Sequence, residues 1–368
     1  MPSADICKIL LIEPYYGGSH KYWSDNLKAR SKHHITLMTL PARNWKWRMQ
    51  GSAYIFSERI KALDFKPDIV LVSDMCDLAL LRSMLVNHLS SAVFIYYMHE
   101  NQLSYPLSSK DQEKHFDLSY GYLNYKSCLA ADRILFNSHY HQDQFYSACE
   151  HLLNKMPDYK HSNSLKNLIN KSDVRYIGLD SKLILEASIE SKIPNSILWN
   201  HRWDEDKKPE YFKYILDKLQ DNNIDFNLIL TKQSSNTSGI YKQILTEYAS
   251  SIKHAGYMES YQDYLKLLGC AEILFVSPGH DFFGISVLEA VGAGVPPLLP
   301  KSKVYEEHWP SIEFPELYYN DEEDLIAKLS SLLAHRYETD PRLAERVRKY
   351  DWEKLIETYD DFFTACCV

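Results

Sequence analysis

Short, continuous apolar runs recur along this chain, and segments of helix length separate them. In the first half the runs lie at 9–12, 35–40, 68–72, 92–97 and 133–136. Such runs suit strands that are buried on both faces, as in a parallel sheet. The alternation of strand and helix patterns therefore predicts β–α units stacked into a doubly wound α/β fold.

The pattern then restarts in the second half of the chain. Apolar runs at 196–199, 225–230 and 273–277 predict strands, a helix is predicted around 209–219, and another runs through Glu289. At about 150 residues per domain, 368 residues fit two domains. We therefore predict two Rossmann-like domains, 1–190 and 191–350, that face a central cleft, because such sheets bind ligands beyond the carboxyl ends of their strands.

Two segments fall outside the repeated pattern. Residues 154–173 are polar and weakly periodic, which predicts a surface loop or a partly ordered insertion. Residues 351–363 carry apolar side chains at helical spacing, which predicts an amphipathic helix within a terminal segment, 351–368.

Composition excludes several classes of protein. With 45% apolar and 24% charged residues, the chain is neither disordered, nor collagen-like, nor a small disulfide scaffold. The net charge of −8 divides into +3 for residues 1–199 and −11 for residues 200–368. This asymmetry fits a first half that meets an anionic partner, and it equally fits an acidic solvated surface on the second half.

The cysteines and the N-terminus predict a soluble cytoplasmic protein. No pair of cysteines has a CxxC spacing, which argues against a zinc ribbon and a disulfide framework and favours a reducing compartment. The seven are Cys7, Cys76, Cys128, Cys149, Cys270, Cys366 and Cys367. The N-terminus lacks the pattern of a signal peptide, and no apolar run approaches the ~18 residues of a membrane span.

Gly17 and Gly18 directly follow the first predicted strand and open a helix. Glycines there allow a ligand to approach the backbone, and the amides of a helix N-terminus attract anions. A plain turn is an equally good interpretation. The third glycine and the later acidic residue of a dinucleotide fingerprint are missing, which disfavours a nicotinamide cofactor.

A second candidate site follows the strands of the second domain. Arg202 and Lys207 come just after the strand at 196–199 and can neutralise a diphosphate, although solvated surface charge is the simpler interpretation. Asp281 and Glu289 are eight residues apart across a loop and the start of a helix. Backbone amides of the turn between them would face a phosphate. They belong to Phe283, Gly284 and Ile285.

This segment resembles the acidic-x7-acidic signature of retaining family 4 glycosyltransferases, which have the two-domain GT-B architecture. Arg202 and Lys207 match the Arg-x4-Lys pair of that family, and Gly17-Gly18 its N-terminal glycine loop. The terminal helix would be the one that crosses back to the first domain. Two departures are Asp281, where Glu is usual, and Phe282, where Gly is usual.

A closer resemblance is to the tRNA-queuosine α-mannosyltransferases. It rests on the segments 13–20, 98–106, 201–203 and 281–284. The resemblance implies GDP-mannose as donor and the cyclopentenediol of queuosine in a tRNA anticodon as acceptor. It implies neither a cofactor nor a metal, because Arg202 and Lys207 would neutralise the leaving phosphate.

The resemblance also distributes roles among the candidate residues. Asp281 would hold sugar hydroxyls, Glu289 the ribose, and His99 the sugar from the first domain. Gly17 and Gly18 would lie under donor and acceptor. We expect three further histidines to be polar surface or loop residues. They are His20, His139 and His141.

Two basic stretches are candidates for contact with tRNA. The first interleaves cations with indoles, as suits phosphates and splayed bases. It consists of Arg43, Trp45, Lys46, Trp47 and Arg48. The second consists of Lys155, Lys160, Lys166, Lys171 and Arg175. A surface loop with buried tryptophans explains the first stretch equally well.

Two alternative functions remain open. A GT-B enzyme could act on a lipid or a glycan, although no basic amphipathic surface helix of the kind that a membrane-lipid enzyme uses is evident. A GT-B-derived protein could instead bind a nucleotide sugar or RNA without turnover if the departures at Asp281 and Phe282 disable the sugar site. The sequence leaves the donor base (GDP or UDP), the acceptor hydroxyl and the oligomeric state open.

Overall fold

The computed structural model describes residues 6–106, 118–160, 162–231, 239–334 and 339–367. The chain forms two compact units. The first unit contains Met1–Gly178 and Trp352–Val368, and the second contains Leu179–Asp351.

The first unit contains a six-stranded parallel sheet in the order β2-β1-β3-β4-β5-β6. Its strands are β1 (Lys8–Tyr16), β2 (His34–Pro41), β3 (Ile69–Ser73), β4 (Val93–Met98), β5 (Arg133–Phe136) and β6 (Ser172–Val174). Ile9 pairs with Ile35 on one side and with Ile69 on the other. The apolar runs thus form strands buried on both faces, as predicted.

Helices connect these strands, and several begin at side-chain caps. They are α1 (Gly18–Arg30), α2 (Trp45–Lys61), α3 (Leu78–Leu85), α4 (Ser119–Ala130), α5 (His139–Asn154) and α6 (Ser162–Asn170). Asp77 accepts a hydrogen bond from the amide of Leu80, and Ser138 accepts one from the amide of His141. Each cap satisfies an amide that the first helical turn leaves unpaired.

The second unit repeats the design with a parallel sheet in the order β12-β11-β10-β7-β8-β9. Its strands are β7 (Ser196–Trp199), β8 (Asn227–Thr231), β9 (Ile252–Gly256), β10 (Ile273–Phe275), β11 (Pro297–Pro300) and β12 (Tyr318–Tyr319). Its helices are α7 (Ser181–Ala187), α8 (Pro209–Asp221), α9 (Gly239–Glu247), α10 (Tyr261–Gly269), α11 (Ile285–Gly292), α12 (Lys303–His308), α13 (Glu322–Ala334) and α14 (Pro341–Val347). The core of this unit is rich in aromatic rings around Trp199, which stacks on Phe212 with centroids 4.4 Å apart.

The first unit ends at residue 178, twelve residues before the predicted boundary at 190. The reason is helix α7, which packs within the second unit. Gly292 has no Cβ, and one built there would lie 2.6 Å from Ile184 of α7. Gly269 allows a similar close approach to the carbonyl of Ala187. These contacts bind 181–187 to α10 and α11.

The terminal helix α15 (Trp352–Cys366) is part of the first unit. Tyr359 is fully buried, accepts a hydrogen bond from the indole Nε1 of Trp23 (3.0 Å), and donates to the carbonyl of Tyr176 (2.9 Å). The next residue of the helix, Asp360, accepts a hydrogen bond from the amide of Lys32 (3.0 Å). The amphipathic helix predicted at 351–363 is thereby confirmed.

The prediction of a loop at 154–173 was wrong. Helix α6 and strand β6 lie in this segment. Leu168 is 1% exposed in the core, Leu165 packs beside it, Ile169 is 50% exposed, and the remaining residues of the helix are polar. With so few apolar residues the helical period was too sparse to recognise.

The cysteine spacings argued against a disulfide framework, yet the structure contains a disulfide bridge. Cys7, just before β1, and Cys367, just after α15, form a disulfide across 360 residues of sequence. Docking of the terminal helix brings the two ends of the chain together, which no local spacing reveals. In the described part of the chain the other five cysteines are thiols: Cys76, Cys128, Cys149, Cys270 and Cys366.

None of the helices in the described ranges has both the length and the apolarity needed to cross a membrane.

Replacement of Tyr359 by Phe tests the docking of α15. The change removes the hydroxyl that pairs the buried Trp23 indole and two carbonyls. We expect the free energy of unfolding to fall by about 1–3 kcal/mol in a denaturant titration. Tyr257→Phe is the control, because Tyr257 is 61% exposed. Equal stability of the two variants would show that the hydroxyl does not anchor the helix.

Candidate active site

Each sheet has one place where its strand order reverses. In the first sheet this place lies between β1 and β3, and in the second between β10 and β7. Helices leave adjacent strands in opposite directions there, so a crevice opens beyond the carboxyl ends of the strands. The candidate residues of each unit cluster at this edge.

In the second unit, the segments after β7 and β10 pack directly against one another. The amide of His280 donates to the carbonyl of Asp206 (2.9 Å), and Ser277 donates to the carbonyl of Lys207. A Cβ at Gly279 would lie 2.5 Å from the Asp206 oxygen, so only glycine allows this approach. The tight packing fixes the turn that carries Lys207 against the loop that carries Asp281.

Lys207 and Asp281 form a largely buried ion pair. The Lys207 ammonium lies 2.7 Å from Oδ1 of Asp281, and the Tyr305 hydroxyl donates to Oδ2 at 2.9 Å. Burial by itself would raise the pKa of Asp281, but the Lys207 charge and these hydrogen bonds lower it to about 2. Asp281 is therefore a carboxylate with both oxygens engaged, and Lys207 is its counter-ion.

Arg202 differs from Lys207 in being accessible. Its side chain is 53% exposed, and its guanidinium pairs with Asp204 (3.0 Å) and Asp206 (3.1 Å). Exposed pairs of this kind contribute about 0–1 kcal/mol. An incoming phosphate can therefore compete for Arg202 at little cost.

The turn between Asp281 and α11 is rigid. Gly284 has φ 74°, in the left-handed region that favours glycine, and a Cβ there would lie 3.2 Å from the Tyr305 ring. Phe282 and Phe283 are buried, and His308 Nε2 lies 2.7 Å from the Phe283 carbonyl. Residues 283–285 thus stand at the N-terminus of α11, whose amides favour an anion.

Glu289 lies one turn further along α11 and is 6% exposed. The hydroxyls of Tyr261 and Tyr264 in α10 donate to its two oxygens at 3.0 and 3.1 Å. A carboxylate accepts hydrogen bonds from hydroxyl groups, as Glu289 does here from the two tyrosines. The tyrosines fix the orientation of the carboxylate.

In the first unit, the glycine turn follows β1. A Cβ on Gly17 would lie 2.5 Å from Cβ of Ala42, so glycine permits close contact with the segment after β2. Gly18 has φ 53°, and a Cβ there would meet open space. The turn brings the start of α1 beside the start of the segment 43–48.

Directly beneath this turn lies a buried polar cluster at the carboxyl ends of β1, β3 and β4. Nδ1 of His20 lies 3.1 Å from Glu13, which is fully buried. Burial by itself would lower the pKa of His20, but the Glu13 carboxylate raises it to about 9. His20 is therefore a buried cation, and the expectation that it is a surface residue was wrong. His141 is also buried.

His99 completes the cluster as a neutral imidazole. Its ring stacks on His20 with centroids 4.0 Å apart, and its amide donates to Asp74 at 3.0 Å. Burial and the neighbouring His20 charge lower the pKa of His99 well below its usual range. Neither ring nitrogen has a hydrogen-bond partner among the described residues. Both nitrogens are buried, and Nε2 lies 3.9 Å from a carboxylate oxygen of Glu13.

Glu13, His20 and His99 are also the described residues that could hold a metal, since one ligand atom of each lies within 4.8 Å of the others. Imidazoles that share one ion diverge around it, whereas these two rings stack on each other. An ion pair beside a neutral histidine describes this geometry better than a metal centre. The absence of a metal stays a prediction.

The first basic stretch divides into inward and outward residues. Arg48 is 8% exposed and donates to the carbonyl of Pro41, and Trp45 packs on Tyr120 with centroids 5.3 Å apart. These two were expected to face RNA and instead support the fold. Arg43, Lys46 and Trp47 are exposed.

The second basic stretch is similarly mixed. Lys171 donates to the carbonyls of Leu129 and Ala131, and Arg175 pairs with Asp173 at 2.7 Å. Lys155, Lys160 and Lys166 are exposed. The five cations therefore do not form one surface.

Sequence reasoning missed the residues that hold the site side chains in place. They are Asp74, Tyr261, Tyr264 and Tyr305. Asp74 carried a readable signal, because it directly follows the buried strand β3. The tyrosines carried none, because they are far in sequence from the carboxylates that they bind.

Comparison with known proteins identifies the family. Residues 8–179 match the family profile described as tRNA-queuosine alpha-mannosyltransferase N-terminal. The tRNA-queuosine alpha-mannosyltransferase of Drosophila melanogaster is 31% identical over 332 residues, which cover 87% of this chain and 85% of that protein. The chain belongs to the tRNA-queuosine α-mannosyltransferase family. It is therefore a transferase, as the resemblance implied.

Solved structures support the GT-B fold of this family member. The catalytic domain of starch synthase IV from Arabidopsis thaliana has a TM-score of 0.69 at 11% identity and covers 99% of this chain and 100% of that one. The N-terminal domain of Candida albicans trehalose-6-phosphate phosphatase has a TM-score of 0.66 at 15% identity and covers 98% and 97%. At these identities the likeness shows the fold alone.

Replacement of Lys207 tests whether its buried ion pair with Asp281 stabilises the fold. Lys207→Met leaves the Asp281 carboxylate buried without its counter-ion, so we expect a loss of about 3 kcal/mol in chemical unfolding. The double variant Lys207→Met/Asp281→Asn should recover most of that loss. Arg202→Met, at an exposed pair, should change stability by less than about 1 kcal/mol. A single variant as stable as wild type would contradict the ion pair.

Because of the His20–Glu13 pair, we expect the stability of the fold to decrease as the pH becomes alkaline. Because the pKa of His20 is raised from its ordinary 6.5 to about 9, the pair stabilises fully below pH 6.5 and its contribution is lost as pH rises through 9. We expect the melting temperature of wild type to fall between pH 7 and 9.5 more than that of His20→Gln. In Glu13→Gln, NMR should show the His20 pKa below 6.5, because burial is then uncompensated. Parallel melting curves would refute the assignment.

Proposed function

We propose that this chain transfers mannose from GDP-mannose to a hydroxyl of the queuosine cyclopentenediol in a tRNA anticodon, with retention of anomeric configuration. The observation that carries the proposal is the gathering of Arg202, Lys207, Asp281 and Glu289 at one strand-order reversal. These are the positions that match the family 4 motif. Membership of the tRNA-queuosine α-mannosyltransferase family supports the acceptor and a cytoplasmic location.

The donor nucleotide binds to the second unit in this proposal. Arg202, which is exposed and weakly paired, takes the diphosphate together with the amides of residues 283–285. Glu289 accepts hydrogen bonds from the ribose hydroxyls, because it is a carboxylate that two tyrosine hydroxyls hold in a fixed orientation. Lys207 adds positive charge beneath the phosphate while it holds Asp281.

Asp281 recognises the sugar in this proposal. It is ionised, so it accepts hydrogen bonds from sugar hydroxyls. For the first unit, the family resemblance assigns His99 to the sugar and Gly17 and Gly18 to donor and acceptor, and a Cβ on Gly18 would meet open space.

The reaction needs neither a protein nucleophile nor a metal in this scheme. The acceptor oxygen attacks the anomeric carbon from the face that the diphosphate leaves. The bond from carbon to the phosphate oxygen breaks, and the hydroxyl proton passes to that departing oxygen. Arg202, Lys207 and the helix amides stabilise the charge that develops on GDP.

The acceptor tRNA contacts the first unit. The segment predicted for it comprises Arg43, Trp45, Lys46, Trp47 and Arg48. Of these, Arg43, Lys46 and Trp47 have the exposure that contact requires. No membrane partner enters the proposal.

The direct test incubates the purified chain with GDP-mannose and tRNA that contains queuosine. We expect a hexose mass increase on the queuosine nucleoside, and none with tRNA that carries guanosine at that position. UDP-glucose and UDP-mannose serve as donor controls. Donor hydrolysis without a mass shift would reject the acceptor, and binding of the donor without any turnover would reject the enzyme activity.

The donor site is tested by calorimetry with GDP. We expect Glu289→Ala to weaken binding by at least about tenfold, the equivalent of one charged hydrogen bond. Glu316→Ala removes an exposed carboxylate of the same unit and should bind GDP as wild type does. Equal affinities for the two variants would remove Glu289 from the nucleotide site.

A further inference from the structure

The outward face of α2 carries two large aromatic side chains with no role in the core. Trp47 and Tyr54 are seven residues apart, so they share one face of the helix about 10 Å from each other along its axis. They are 63% and 61% exposed. Two exposed aromatic side chains on one face lack the stabilisation that burial would give them. Exposed apolar patches of this kind are typical of binding surfaces.

Gly51 lies between them and shapes this face. A Cβ on Gly51 would lie 2.9 Å from Cζ2 and 3.0 Å from Cε2 of Trp47, so the indole lies flat on the helix backbone at this residue. A glycine inside a helix costs about 0.5–1 kcal/mol relative to alanine. At this position the missing side chain lets the Trp47 indole pack with one face against the helix, while much of its surface stays open to solvent.

The charge around the face is positive. Residues 43–61 contain one acid, Glu58, and five Lys and Arg, of which four are exposed and Arg48 is buried. Glu58 is paired with Lys61 at 2.9 Å, so no net negative charge stands at that end. Arg43 and Lys46 are exposed at the other end, where α2 starts at the carboxyl edge of the sheet. An anionic ligand is therefore favoured, and aromatic faces add affinity for its bases.

Other residues of α2 pack in the interior, on a face separate from that of Trp47 and Tyr54. Met49 and Phe56 are fully buried, and Trp45 packs on Tyr120. Truncation of Trp47 or Tyr54 consequently removes little from the core, which makes their function accessible to mutation.

We propose that Trp47, Gly51 and Tyr54 form a platform on which unpaired bases of an RNA loop stack, with Arg43 and Lys46 at its phosphates. The platform deepens the proposed function, on which its assignment to the anticodon loop rests. Stacking needs bases that are splayed out, as in a single-stranded loop, and the paired bases of a duplex do not offer their faces.

The test measures binding of a fluorescent anticodon stem-loop, at one fixed salt concentration, to the full chain. Trp47→Ala and Tyr54→Ala should each weaken binding about 5- to 100-fold, as expected for the loss of one stacked base. GDP affinity should not change. Tyr257→Ala is the matched control, because Tyr257 is also 61% exposed but lies in the second unit.

Gly51→Ala tests whether RNA binding requires the position of the Trp47 indole or only the presence of aromatic side chains. Alanine favours the helix, so the fold should be at least as stable, yet the added methyl displaces the indole. We expect weaker RNA binding with an unchanged or higher melting temperature. Wild-type affinity in Trp47→Ala and Tyr54→Ala would overturn the platform. Trp47-dependent binding of single-stranded RNA without mannosyl transfer would uphold it while rejecting the proposed function.

Discussion

The reversal of strand order in each parallel sheet is the constraint on which the chemistry of this protein depends. Between β1 and β3, and again between β10 and β7, connecting helices leave in opposite directions, so side chains after these strands meet at an open edge. Glu13 and Asp74 stand there in the first unit, and Lys207 and Asp281 in the second. The central strands are mostly apolar and buried on both faces, which concentrates ionisable residues toward their carboxyl ends.

Each buried charge at these edges is balanced locally. Glu13 holds His20 as a cation, Lys207 holds Asp281 as an anion, and two tyrosine hydroxyls orient Glu289. Such groups are oriented before a ligand arrives, so binding requires little reorganisation. Arg202 contrasts with them, since its own side chain is 53% exposed. The site therefore combines buried, oriented groups with one exposed cation, which suits the sugar nucleotide proposed as donor.

The comparison of sequence with structure shows where local patterns are sufficient. The strands at 133–136 and 196–199 were predicted to the residue, because uninterrupted apolar runs bounded by polar residues define both burial and length. The motif around Asp281 and Glu289 was readable for the same reason. His20 and Arg48 were misjudged, because each becomes buried only when its helix packs on the preceding strand, where Glu13 and the Pro41 carbonyl accept their hydrogen bonds.

The sequence by itself determined the doubly wound α/β class, the repetition into two units and the residues that match a glycosyltransferase motif. These features depend on period and on neighbours along the chain. Only the tertiary structure decided the pairing of Lys207 with Asp281, the disulfide between Cys7 and Cys367, and the seam at 178. The physical reason is that such contacts join segments up to 360 residues apart, and their geometry exists only after strands and helices have packed.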